Sequence, residues 1–274
     1  MNSNNKNSLT ALGTGTSTGI PMIGCTCKVC LSLDSRDQRL RTSILLETKN
    51  GKKILVDTTP DLRTQFLENK ISNIDFAIIT HDHADHLHGI DDLRPLTFGP
   101  PSKEIDLYCN AKTRASVEKR FEYIFEDRNL RKNPIVGGGI PRLKLKQVEL
   151  EKEIIIEGEE FLFFNYPHGH GETMGFIHQG LAYIVDCMEL PASILSILKN
   201  KQIKILILDC LQRGSHSTHL NVKKSFEYIK EINPERAGLI HIGHDLFHQE
   251  LLSMSNAQFG KKVFPLYDQL KLFY

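Results

Sequence analysis

Thr80-His81-Asp82-His83-Ala84-Asp85-His86-Leu87-His88-Gly89 is the stretch on which the reading of this chain turns. It follows the apolar run Phe76–Ile79, so it begins where a buried strand ends. In extended backbone, residues two apart point to the same side, and His81 and His83 can therefore face one ion together. Asp85 and His86 come next, where the chain turns toward a helix, and can face a second ion. Four ligand-type side chains within six residues, at a strand end, suit a pair of divalent metals. The plain alternative is a solvated histidine-rich loop, and the strand-to-turn context argues against it.

Working outward, the metal-friendly residues are bunched. The chain has 12 histidines, none before His81, and three of its 6 cysteines are Cys25, Cys27 and Cys30. Structural zinc takes four ligands in a closed tetrahedron, so a fourth must come from elsewhere in the chain. Three free buried thiols are the other reading. Cys109, Cys187 and Cys210 sit singly in apolar stretches and read as small buried hydrophobes.

A chain of 274 residues can bury a core without staples. Lys plus Arg is 34 and Asp plus Glu is 33, a net charge of +1, which gives no global field for nucleic acid or an anionic membrane. Hydrophobic residues at 40% and charged residues at 24% argue for a folded chain. Residues 1–7 lack the apolar segment of a secretory signal and read as a disordered lead. The longest apolar runs, such as Ile203–Leu208, are of strand length and not membrane length. The expectation is one domain over residues 8–274, in the cytoplasm, where clustered cysteines bind metal more often than they pair.

Strand-like runs at Ser8–Leu12, Ser43–Glu47, Lys53–Asp57, Phe76–Thr80 and Ile105–Cys109 are followed by a helical spacing over Ala111–Phe125. Strands return from Leu143 to Asp186. Helices at Ala192–Lys199, Val222–Ile232 and Asp245–Ser253 then alternate with strands at Ile203–Asp209, Ala237–His241 and within Lys262–Phe273. Strands first, then strands alternating with helices, twice over, predicts helices layered on two packed mixed sheets. Gly137-Gly138-Gly139 reads as a loop tip, and the glycines of Gly13–Pro21 as turn geometry before substrate contact.

His-x-His-x-Asp-His at His81 to His86 resembles the signature of the metallo-β-lactamase superfamily, and the resemblance extends from about Leu9 to Phe273. It implies an α/β (α+β) fold, a four-layer αββα sandwich of two mixed β-sheets flanked by helices. It also implies three further ligands at strand ends: His168 in Pro167-His168-Gly169, Asp186 and His241. His170 rivals His168. His168 is preferred because related sequences place His-Gly seven residues before a Gly-aromatic pair, here Gly175-Phe176. The implied set is His81, His83 and His168 on one ion, Asp85, His86 and His241 on the other, and Asp186 between them. Asp57, in Leu55-Val56-Asp57-Thr58, resembles a strand-end aspartate that orients a metal-bound histidine.

Cys25-Thr26-Cys27-Lys28-Val29-Cys30 is similar to a segment of one branch of that superfamily, the phosphoribosyl cyclic phosphodiesterases. There a histidine of a His-x-x-His segment completes a structural zinc. His244, three residues after His241, is the matching fourth ligand. Relatives in this branch show His-Pro-Ser/Thr-His-Leu near the rim. This chain has His216-Ser217-Thr218-His219-Leu220, without the proline. Arg213, His216 and His219 are the expected substrate residues. His219 is expected to protonate a leaving oxygen, and Asp85 is catalytic through its ion.

The implied activity is metal-dependent hydrolysis of a small (cyclic) phosphodiester by a hydroxide bridging two ions of zinc or manganese, or of iron. Three rivals share the ligands: a carbon-ester, lactone or thioester hydrolase, an RNA-processing nuclease, and a non-catalytic accessory protein of cofactor synthesis. The nuclease pattern carries a His-Glu-Ala-Thr segment and an RNA-binding arm, and neither is found in the sequence. The expected partner is a small phosphodiester, with no membrane and no long nucleic acid. A homodimer is the macromolecular partner that relatives show.

Overall fold

The computed structural model describes residues 6–98, 102–126 and 139–274. Residues 1–5 of the expected lead, and Gly137 and Gly138 of the expected loop tip, lie outside the described residues.

The chain runs twice through one plan. The first pass is β1 (Ser8–Gly13), β2 (Ser43–Glu47), β3 (Lys53–Val56), α1 (Leu62–Glu68), β4 (Phe76–Ile78), α2 (Ala84–Leu87), α3 (Arg94–Thr97), β5 (Ile105–Cys109), α4 (Ala111–Arg120), α5 (Glu122–Phe125) and β6 (Leu143–Gln147). The second is β7 (Glu153–Ile156), β8 (Glu159–His168), β9 (Gly171–His178), β10 (Leu181–Ile184), α6 (Ala192–Asn200), β11 (Ile205–Asp209), α7 (Val222–Ile232), β12 (Arg236–Ile240), α8 (His248–Phe259) and β13 (Val263–Pro265). A last strand, β14 (Lys271–Phe273), returns to the first sheet and pairs antiparallel with β1, placing Leu9 opposite Leu272.

Each sheet has seven strands, ordered β14-β1-β2-β3-β4-β5-β6 and β13-β12-β11-β10-β9-β8-β7. The hairpin pairs β2–β3 and β8–β9 are antiparallel, as is β1–β2 across the long segment 14–42, and strands joined through α-helices pair parallel, because a parallel neighbour needs a crossover. The central strands, such as β10 and β11, are buried on both faces, as sheets covered on both sides require, and the edge strands β6 and β7 expose Lys144 and Ile155. Leu9, Ile44, Ile54 and Val56 face inward onto Phe161, Phe163, Phe176, Tyr183 and Ile207 of the other sheet. Their neighbours Leu45, Leu55, Ala77 and Leu107 face outward under the first-pass helices. Ala182, Ile184, Leu206 and Leu208 do the same under α6 to α8. Three hydrophobic layers between four layers of structure make the expected αββα sandwich.

Some elements differ from expectation. The single helix expected over Ala111–Phe125 breaks at Phe121, whose backbone leaves helical geometry (φ −117°, ψ 41°) as its ring packs edge-on to His88. Helix α1 was not expected. Only Leu62, Gln65 and Phe66 are buried in it, too short a period to read from sequence. Helix α8 starts at His248 and runs to Phe259, later at both ends than Asp245–Ser253. The residues between His241 and Phe247 form an extended loop instead, tied to other parts of the chain.

The fold gathers one set of strand ends on one edge of the sandwich. Asp57 follows β3, His81 follows β4, His168 ends β8, Asp186 follows β10, Asp209 ends β11 and His241 follows β12. Ligand sites in sheets of this kind form beyond the carboxyl ends of parallel strands.

Candidate metal centre

Seven side chains converge at this edge, four from these strand ends and three from the segment after His81. His81 Nε2 lies 3.3 Å from Asp186 Oδ2, His168 Nε2 is 3.4 Å from that oxygen, and His168 Nε2 is 3.2 Å from His83 Nδ1. On the other side of Asp186, His86 Nε2 is 3.4 Å from Oδ2 and His241 Nδ1 is 3.1 Å from Oδ1. Asp85 Oδ2 stands 3.2 Å from His86 Nε2. Asp186 thus lies between two groups of ligand atoms. His168 is buried within the cluster and its rival His170 is exposed.

These approaches are close without being good hydrogen bonds. His81 Nε2, His86 Nε2 and Asp186 Oδ1 are buried and have no hydrogen-bond partner among the described residues. Such atoms cost free energy unless something else satisfies them. Nitrogen and carboxylate donors aimed at shared spaces fit divalent ions in both groups. Protonation fits as well. Burial pushes His168 down to about 4 and His241 down to about 3, so both offer a neutral ring with a free lone pair. For His86, burial opposes the charged form, but Asp186, Asp85 and Asp57 outweigh it and raise it well above the ordinary value. A cation at that place would take over the proton's role.

Three of the residues are held in the left-handed region: Asp57 at φ 66°, Asp186 at φ 54° and His241 at φ 61°. Each is the turn residue just beyond its strand, and the conformation costs on the order of 1–3 kcal/mol per site. Hydrogen bonds behind the cluster offset it. Asp57 accepts from Thr80 N at 2.8 Å and from Thr80 Oγ1, and its Oδ2 lies 2.7 Å from His86 Nδ1. His241 Nδ1 is 3.2 Å from Thr42 Oγ1 and its Nε2 is 3.3 Å from Thr16 Oγ1. Thr16 belongs to the glycine-rich loop, which must lie close to its neighbours. A Cβ on Gly13 would stand 2.0 Å from the Arg41 carbonyl oxygen.

A second group lies beside the first. The sulfurs of Cys25, Cys27 and Cys30 are 3.3, 3.5 and 3.7 Å from His244 Nδ1. A Cys3His group of this kind fits a structural zinc. The Cys30 N–H points at the Cys27 sulfur and, as the largest cause, draws its thiol down to about 6, toward the thiolate that zinc prefers. Sequence reasoning missed the residue that ties the two groups together. Arg39 is buried, donates to the carbonyls of Gly243 and Leu246 and pairs with Asp37 at 2.9 Å. It fixes the short loop carrying both His241 and His244.

At the rim, His219 stacks on His241 with ring centres 4.9 Å apart and meets His168 edge-on at 4.8 Å. Its Nδ1 lies 3.0 Å from Asp209 Oδ2, and that carboxylate also accepts from Cys187 N at 2.8 Å. Asp209 was also missed, because it reads as the polar end of an apolar strand. His216 is exposed, with its ring 5.2 Å from that of His219. Arg213 is turned elsewhere: its guanidinium pairs with Glu250 of α8 and its N–H donates to Asp245.

The comparisons agree with this geometry. A family model described as a β-lactamase superfamily domain matches residues 52–242. The chain therefore belongs to the metallo-β-lactamase superfamily, as a hydrolase fold with a buried His/Asp cluster that fits a dinuclear metal site. Within that class it is similar to a crystal structure of a new diphosphatase from the PhnP family, 34% identical with a TM-score of 0.85 over 98% of each chain. Zn2+-bound PqqB from Methylobacterium extorquens shares the fold at 19% identity, TM-score 0.77, over 97% of this chain and 99% of that one. An octanoyltransferase of Porphyromonas gingivalis (strain ATCC BAA-308 / W83) is 34% identical over 245 residues, 89% of this chain and 47% of that protein. The chain thus spans about half the length of that curated relative. Among the described residues, no helix is long and apolar enough to cross a membrane.

Proposed function

We propose that the protein hydrolyses a small phosphodiester, cyclic or otherwise, at its His/Asp cluster. The observation that carries this reading is one arrangement: two groups of His and Asp side chains sharing Asp186, with His219 stacked on His241 of one and edge-on to His168 of the other. His81, His83 and His168 would hold one ion, Asp85, His86 and His241 the other, and Asp186 would serve both. Bound there, divalent ions would supply Lewis acidity to a phosphoryl oxygen and lower the pKa of a bound water.

The chain's own residues supply the rest. Asp209 occupies the Nδ1 edge of His219, which fixes the tautomer and leaves Nε2 to donate a proton to the departing oxygen. His216, exposed beside it, suits a non-bridging phosphate oxygen. Arg213 would have to leave Glu250 to reach the substrate. A net charge of +1 suits a small substrate over a long polyanion. The similarity to a PhnP-family diphosphatase supports phosphoryl chemistry, because a diphosphate link also puts phosphorus between two bridging oxygens.

A second reading is hydrolysis of an acyl ester or thioester, favoured by the octanoyltransferase relative. The test is turnover by wild-type protein and Asp85→Ala, each supplied with Mn2+ or Zn2+. The substrates are a bis-aryl phosphate, a 2′,3′-cyclic nucleotide, a ribose cyclic phosphate, a diphosphate diester, a lactone and an octanoyl thioester. Metal-dependent cleavage of the phosphate compounds, lost in Asp85→Ala, is the expected result. Thioester or lactone turnover without phosphodiester turnover would replace the first reading by the second.

A further inference from the structure

Asp82 lies between His81 and His83 in extended chain, so its side chain points away from the cluster while theirs point into it. That side chain is engaged by α4. Asp82 Oδ2 accepts from Ser116 Oγ and from Arg120 Nη2, the latter at 2.9 Å. The other arm of the Arg120 guanidinium donates to the Asp82 carbonyl oxygen. The carbonyl of Asp82 and the nitrogen of His83 share one rigid peptide plane. Holding that carbonyl therefore sets the direction in which His83 leaves the backbone.

The two halves of the centre are gripped unequally. His86 and His241 are buried, and each is held on the ring nitrogen that does not face Asp186, by Asp57 Oδ2 and by Thr16 Oγ1. The backbone of His86 is also fixed, its carbonyl accepting from Thr58 N at 2.8 Å. His83 is exposed; its carbonyl accepts from His86 N at 3.1 Å and its ring meets His168 Nε2 at 3.2 Å, so both of these partners are themselves part of the cluster. The hold on His83 from outside the cluster is the fork of Arg120 on Asp82, a charge-assisted bidentate contact with geometric precision.

We propose that Ser116 and Arg120 are positioning residues, acting through Asp82, for the His81/His83/His168 half of the centre, and that this half releases its ion the more easily. The inference rests on the dinuclear reading above. It assigns α4 a part in metal retention. Because the Arg120–Asp82 pair is partly exposed, its loss costs the fold little. The effect falls on the geometry of one ligand.

The test is calorimetric titration of Mn2+ into protein that keeps zinc at its cysteines, since Mn2+ prefers imidazole and carboxylate to thiolate. Wild-type protein is expected to bind two Mn2+ per chain. In Arg120→Ala and in the Ser116→Ala/Arg120→Ala double variant, one of the two affinities falls about tenfold, as when support behind a ligand is lost, and the other is unchanged. Arg120→Lys falls between, because a lysine cannot hold carboxylate and carbonyl together. Arg114→Ala, which removes the neighbouring pair with Glu118 on the same helix, binds as wild type does. Two wild-type affinities in the Arg120 variants overturn the latch and leave the dinuclear reading standing. Fewer than two Mn2+ on the wild-type chain overturns both. Equal weakening of both ions, with a lower melting point of the Mn-free variants, shows a merely structural role and also overturns the proposal.

Discussion

Asp57 Oδ2 and His86 Nδ1 meet at 2.7 Å in the floor beneath the histidine cluster, where both side chains are cut off from solvent. The same carboxylate accepts from the Thr80 backbone and hydroxyl. One group therefore orients a ring of the cluster and holds the end of the strand that leads to His81. Asp57→Asn keeps the shape and tolerates the left-handed backbone, but removes the charge and reverses one donor. Metal affinity or turnover is expected to fall between about 10-fold and about 100-fold. Equilibrium dialysis against Mn2+, with activity at saturating metal, measures both. Wild-type affinity would show that His86 does not depend on Asp57.

Removing one thiol tests the second group. Cys27→Ser is expected to lower bound zinc by one equivalent per chain, measured by plasma emission. The loop around it has only a small core of its own, Ile20, Val29 and Cys30. Trypsin or proteinase K should therefore cut faster between Ser17 and Asp34. An unchanged zinc count would mean that the thiols hold no ion.

Proton donation by His219 predicts a dependence on the leaving group. His219→Ala and Asp209→Asn should lower kcat by about 100-fold to 1000-fold on substrates that release an alkoxide. The loss should shrink greatly with nitrophenolate, which leaves without help. Metal content should not change. Equal losses on both substrate types would assign the pair to positioning instead.

His248 sets a pH dependence of stability away from the cluster. Burial, with Arg36 and Arg39 nearby, pushes it down to about 4, and it opens α8, where a positive charge is disfavoured. The unfolded chain then binds the proton more readily than the folded one. Stability from this residue is fully present above the ordinary histidine value near 6.5 and is lost as pH falls toward about 4. The loss is on the order of 2 kcal/mol. Urea midpoints of wild type and His248→Asn at pH 7 and pH 4.5 read it. The wild type should lose more stability than the variant over that interval, and parallel losses would contradict the assignment.

How much of this was open to sequence reading depends on the distance over which each residue acts. His81 to His86 could be read because ligands, strand end and turn lie in one short segment. His168, Asp186 and His241 followed only through likeness to a known pattern, and the fold brings them to the same edge. Asp209 was hidden because its partner His219 is ten residues on, past a loop whose path the sequence does not declare. Arg39 gave no signal at all. An arginine buried among carbonyls looks in sequence like one on the surface. Arg213 illustrates the converse: its type and position suit a phosphate, but a glutamate 37 residues later holds it. The break at Phe121 likewise coincides with a ring contact to His88, distant in sequence, that helical periodicity cannot register.

The Cys3His group joins parts of the chain 214 to 219 residues apart. On a ribosome the three thiols therefore emerge long before the imidazole that completes their set. The same holds at the neighbouring cluster, where His81 to His86 wait for His168, Asp186 and His241. Neither group can close until β12 has been made, docked and turned through the loop that Arg39 pins. Contacts so distant in sequence make for slow, late assembly. An unfinished or clipped chain thus carries the first-half residues of both groups without a finished centre, and both centres wait for His241 and His244 to emerge.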